Sequence, residues 1–253
     1  MTSTTVSSPG PAGPEPAARV SWIGRIFGVF FSPKETFESI AVRPTWLAPL
    51  VLLCLAQVAL TAVFTERVGW RGFMQKKLEN NSRVQEMTPE QRERVLDVQA
   101  KVARDIGYVG AGAAPFLGAV IVAAIYLATF NLLVGANIKF KTSLGIVAHA
   151  WVPALVAVLL GILVIFLKDP STVDLEHLIA SNAGAFVSDD SPKWLVVLLG
   201  SLDLFSIWTL LLLAAGYSAA NPKKISYGKA LAWVVTVWLI FVLAKTGIAA
   251  AFS

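Results

Sequence analysis

The chain has 253 residues, of which 56% are hydrophobic and only 15% charged, where a soluble domain carries roughly 25% charged residues. Its 21 basic and 16 acidic residues are segregated: residues 44–65, 106–138, 142–167, 194–222 and 230–253 together hold two charges, Asp203 and Lys245. A helix of ~20 apolar residues crosses a hydrocarbon core of ~30 Å, so each stretch can span a membrane and the composition excludes a soluble enzyme. The net charge of +5 is scattered among acids, which excludes a nucleic-acid surface. The lone Cys54 leaves no disulfide framework or cysteine metal site within one chain.

Residues 1–19 hold four prolines and few bulky apolar residues, and they read as a disordered cytoplasmic tail. No cleavable signal peptide is expected, because the first apolar run follows a Pro-rich start rather than a basic one. Residues 20–31 (VSWIGRIFGVFF) are apolar but too short to span. With Arg25 as their only charge, they read as a segment lying in the membrane interface, with a buried packing element as a compatible alternative. Ser32-Pro33-Lys34-Glu35 predicts a capping box opening a short helix that ends before Pro44.

Five spans follow, at about 46–64, 107–135, 144–167, 194–217 and 230–252, with Trp46 marking the first interface. They make an all-α bundle over residues 20–253. The polar excursion at 65–105 carries nine basic and seven acidic residues. There Thr88-Pro89-Glu90-Gln91 predicts a second capping box, opening an amphipathic helix with Val95, Val98, Val102 and Ile106 on one face. Glu90/Arg94 and Asp97/Lys101 are spaced for i, i+4 pairs. The apolar face of that helix needs cover from the bundle, the lipid or a second subunit. Small residues at 107–119 predict close helix packing, and Pro115 predicts a kink. Pro153 falls inside the third span.

Orientation follows from two short loops. Residues 136–143 and 218–229 carry lysines and no acid, whereas 168–193 carry two lysines and five acids. Lys/Arg excess marks cytoplasmic loops, so the N-terminus is expected in the cytoplasm and the C-terminus outside. The full count opposes this, with nine Lys/Arg on the inner segments and eleven on the outer ones. The outer excess comes from the long first loop, and the short loops decide.

The candidate polar site within the spans comprises Asp203, Lys245, Asn131, His149 and Gln57. Intramembrane ionisable residues cost energy unless they pair or face a cavity. Asp203 and Lys245 fall at similar expected depths, as an ion or proton site, a structural pair, or separate anchors. Asn131 and His149 are expected near the inner ends of their spans, and Gln57 needs a partner across the bundle. His177 reads as a solvated loop residue. No catalytic motif and no phosphate loop is present, and no cofactor is expected.

Three stretches resemble one family. FFSPKETFESI at 30–40 with RPTWLAPL at 43–50, NLLVGANIKFKTSLGIVAHAWVP at 131–153 and LDLFSIWTLLLLAAGY at 202–217 are similar in order and spacing to Yip-domain proteins, the Ypt/Rab-interacting family, in its bacterial branch. The resemblance covers about residues 28–250. It implies a five-helix domain with a cytoplasmic N-terminus in the inner membrane. Eukaryotic members are associated with Rab GTPases and membrane shaping, and the Rab role does not transfer to bacteria. The expected function is non-catalytic: organising the lipid bilayer, or binding a membrane or cytoplasmic protein partner, as a monomer or a homo-oligomer. The alternative is a small oligomeric transporter or channel using Asp203 and Lys245.

Overall fold

A computed structural model describes residues 21–79, 82–173, 175, 178–188 and 191–252. The expected tail at 1–19 and His177 lie outside the described residues. Eleven α-helices run in chain order among these: α1 (Trp22–Phe31), α2 (Pro33–Val42), α3 (Leu47–Arg67), α4 (Trp70–Glu79), α5 (Ser82–Gln85), α6 (Pro89–Ala128), α7 (Phe140–Ala150), α8 (Pro153–Leu167), α9 (Lys193–Gly200), α10 (Leu204–Ala220) and α11 (Tyr227–Ala251). The all-helical fold is the one expected.

Four segments are long and apolar enough to cross a membrane: Leu47–Arg67, Pro89–Leu133, Phe140–Leu167 and Tyr227–Ala251. Large apolar side chains such as Leu159, Leu163, Phe166, Ile240 and Leu243 are exposed on the outer surfaces of α8 and α11. A soluble protein does not show so continuous an apolar surface, and lipid is the solvent that accepts it. The protein is a multi-pass membrane protein.

The fourth expected span is the one that differs. It is divided into α9 and α10 by a break at Ser201, Leu202 and Asp203. The third is also interrupted, by a turn at Trp151–Val152 that places Pro153 at the first position of α8, where its missing N–H costs nothing. Pro115 sits within one uninterrupted helix.

The core centres on α7. Every residue from Thr142 to Ala150 is buried, because α1, α2, α3, α6 and α10 all pack around it. Small residues permit this. A Cβ added to Gly216 of α10 would meet Ile146 Cγ2 at 2.3 Å and Phe37 Cδ1 at 3.1 Å, and one on Gly145 would meet the Thr45 carbonyl oxygen at 3.0 Å. Between these helices the Ser143 hydroxyl donates to the Ala123 carbonyl at 2.7 Å and accepts from the Tyr217 hydroxyl at 2.5 Å. The Tyr217 ring stacks on Phe130 at 4.4 Å.

A second, smaller core at the other end of the bundle joins Phe64, Ile165 and Val173 to Trp70 and Phe73. It fastens α4 to α3, and Arg71 ties α4 to α6 through Glu93 and through Asp97 at 3.3 Å. Asp97 therefore pairs across helices, with Arg71, and not along its own helix with Lys101. At about 60 Å, α6 is roughly twice as long as a bilayer core is thick, so its first half projects as an arm. The predicted capping box of α6 is formed, with Thr88 and Gln91 bonded reciprocally. The box predicted at Ser32 is absent. Ser32 has φ −146° and ψ 64°, outside the extended region an N-cap needs, and its carbonyl instead accepts from the Thr36 hydroxyl.

Candidate functional site

Two features have the makings of a site: a cavity in one half of the bundle and the two-faced helix α1 in the other.

The cavity has a volume of about 680 Å³ and lies among α6, α8, α10 and α11. Its walls are apolar, with Ile125, Leu213, Trp238 and Val242 among them, and its polar groups include Ser181, Asp203, Ser206, Thr209 and Lys245. The break in the fourth span produces this arrangement. Ser201, Leu202 and Asp203 leave the helix, so their backbone groups need new partners. The chain at 181–183 supplies them: Ala183 N–H donates to the Leu202 carbonyl at 3.2 Å, and Leu204 N–H donates to the Ser181 carbonyl at 3.0 Å. Asp203 then caps α10, its carboxylate accepting from Ser206 N–H at 2.9 Å and from the Ser181 hydroxyl.

Lys245 lines the same cavity from α11, with its Nζ 5.8 Å from the Phe241 ring centre. The structure thus brings Asp203 and Lys245 to one cavity but does not join them in an ion pair; the described ion pairs are Arg71–Glu93, Arg71–Asp97 and Arg104–Asp105.

The other three predicted residues lie elsewhere. Gln57 lines a separate cavity of about 470 Å³ between α3 and α6, and Trp151 and Ala154 stand between the two cavities, lining both. Asn131 is consumed at the end of the long second span, where a π-helical turn (Thr129–Leu133) leads into the loop. Its side chain both donates to and accepts from the backbone of Ile138, at 2.9 and 2.8 Å. His149 is buried in α7, with Nδ1 2.8 Å from the Gly145 carbonyl. No hydrogen bond joins Asn131 to His149, and each is bonded locally.

The sequence reading missed Arg25. It is only 5% exposed, and no acid among the described residues pairs with it. Its guanidinium donates to the Arg43 carbonyl and Thr45 Oγ1, both at 2.8 Å, and to the Ser39 carbonyl at 3.2 Å. It therefore covers the C-terminal carbonyls of α2, where the helix dipole favours a cation. Burial pushes its pKa below the usual arginine value, and Arg43 adds to this; the group stays charged at neutral pH. The signal was available, since Arg25 is the one charge in residues 20–31.

Around Arg25, α1 has two apolar faces. Ile26 and Val29 are buried against the bundle, while Trp22, Ile23, Phe27 and Phe31 are exposed, Phe31 by 85%. Among the described residues no group of His, Cys, Asp and Glu could hold a metal ion.

The family model described as the Yip1 domain matches residues 27–247. No curated protein and no solved structure matches the chain.

Proposed function

The chain belongs to the Yip1 domain family, and from that premise we propose a non-catalytic membrane protein that organises the bilayer around it. Its place in this reading is the inner membrane, with the N-terminus cytoplasmic. The observation that supports it is the second apolar face of α1. A ten-residue helix cannot span, yet it shows Trp22, Ile23, Phe27 and Phe31 outward. Fully burying a large apolar side chain contributes about 1.5–3 kcal/mol, so seating four of them among lipid chains favours the headgroup layer by several kcal/mol. Because Arg25 ties α1 to the end of α2, and α2 packs on α7 and α10, the helix is held against the bundle and displaces lipid on one leaflet only. Unequal displacement bends or thins a bilayer. Of the two expected roles, this supports membrane organisation over partner binding.

The test is vesicle shape. The full chain reconstituted at high protein-to-lipid ratio should shift vesicles to smaller diameters by electron cryomicroscopy. A variant with Trp22, Ile23, Phe27 and Phe31 all changed to Ser should lose that shift while remaining inserted. Equal diameters for both proteins would refute the role. Orientation has its own check. With Cys54→Ser as background, Lys224→Cys should react with an impermeant maleimide only from the cytoplasmic side, and Ser171→Cys only from the opposite side. The reverse labelling would refute the orientation.

A further inference from the structure

We infer that the cavity between α10 and α11 is a binding site for a zwitterionic phospholipid with a primary ammonium and a phosphate, a phosphoethanolamine head. The volume of about 680 Å³ falls in the range of ligand pockets. Its exposed lining residues Ile121, Ile125 and Phe241 carry it out to the lipid-facing surface of the bundle. An acyl chain can therefore leave by that side while the head stays inside.

The polar groups select the head. Asp203 and Lys245 share the cavity but not an ion pair, so neither neutralises the other. A charge without a counter-charge beside apolar walls is costly. A dipolar ligand satisfies both at once, its phosphate meeting the Lys245 ammonium and its ammonium meeting the Asp203 carboxylate. Lys245 forms no hydrogen bond with a described residue; its recorded contact is the Phe241 ring. Asp203 spends one bond on each oxygen, to Ser206 N–H and the Ser181 hydroxyl, and a carboxylate has about four acceptor sites. Ser206 and Thr209 hydroxyls stand in the same lining. Acceptors of this kind reward N–H donors, which a quaternary ammonium lacks, so ethanolamine is preferred to choline.

The site is separate from α1, so its test is independent of the bilayer-organising role. The full chain is purified in detergent, supplied with equal amounts of dioleoyl-phosphatidylethanolamine, -phosphatidylcholine and -phosphatidylglycerol, and examined by native mass spectrometry. Phosphatidylethanolamine should be retained about tenfold over phosphatidylcholine, the ratio one lost charge-assisted bond gives. Asp203→Asn keeps a good N-cap residue, so α10 should stay folded. It should cut phosphatidylethanolamine retention about tenfold and leave phosphatidylglycerol unchanged. Lys245→Gln should cut both, and it disturbs no cap should Asp203→Asn fail to fold. Equal retention of the three lipids by the wild type, or full phosphatidylethanolamine retention by Lys245→Gln, would overturn the proposal.

Discussion

Arg25→Ala should lower the unfolding midpoint of the detergent-solubilised protein by about 10 °C. The change removes three hydrogen bonds from a charged donor and leaves the Ser39 and Arg43 carbonyls without it. Bonds to charged groups contribute roughly 1.5–3 kcal/mol each. Part of that is offset because the guanidinium no longer has to be desolvated, leaving a loss of about 3 kcal/mol. In a chain of this length 1 kcal/mol moves the midpoint by about 2–4 °C. Arg25→Lys should recover little, because an ammonium cannot reach three acceptors in one plane. A scanning-fluorimetry midpoint for Arg25→Ala within error of the wild type would mean that α1 is not fastened through this residue.

The second large effect is expected at Gly216. A methyl group there meets Ile146 Cγ2 at 2.3 Å and Ile146 Cβ at 3.2 Å, contacts that require α10 to move away from α7. Overpacking of this kind costs about 1–3 kcal/mol, and Gly216→Val should exceed Gly216→Ala. Ile146→Ala removes Cγ2, so the double variant Gly216→Ala/Ile146→Ala should be more stable than the sum of its single losses predicts. Strict additivity in that cycle would show that the two side chains do not share space.

Much of the architecture was legible because lipid imposes a simple rule: long stretches without charge become helices. Residues predicted at 46–64 and 230–252 became Leu47–Arg67 and Tyr227–Ala251. What hydropathy cannot register is a break in an apolar run. Gly200, Ser201, Leu202 and Asp203 look like span interior to a hydropathy window, yet Asp203 is a capping residue with its acceptor aimed at Ser206 N–H. Read as a cap, Asp203 would have marked the start of α10 as Thr88 marked the start of α6. The periodic stripe on α6 was also only half informative. Val98, Val102 and Ile106 are exposed, whereas Leu96, off that stripe, is buried. The packing of α4 against α6 decides the matter, and no periodicity within α6 contains it. Asp203 and Lys245 line one cavity without forming an ion pair, so similar expected depth did not make them a pair. Arg25 was passed over because the apolar twelve-residue segment at 20–31 suggested a lipid partner rather than backbone carbonyls.

The position of α1 is tested most directly by spin labels on the reconstituted full chain, with Cys54→Ser as background. Phe27→Cys and Phe31→Cys place the label on the outer face of α1, and Glu38→Cys places it on an exposed position of α2. Collision with dissolved oxygen reports lipid, and collision with a water-soluble nickel chelate reports solvent. Labels at 27 and 31 should collide more with oxygen than with nickel, and the label at 38 should do the reverse. Nickel accessibility at 27 and 31 equal to that at 38 would put α1 in water and contradict its role in the bilayer.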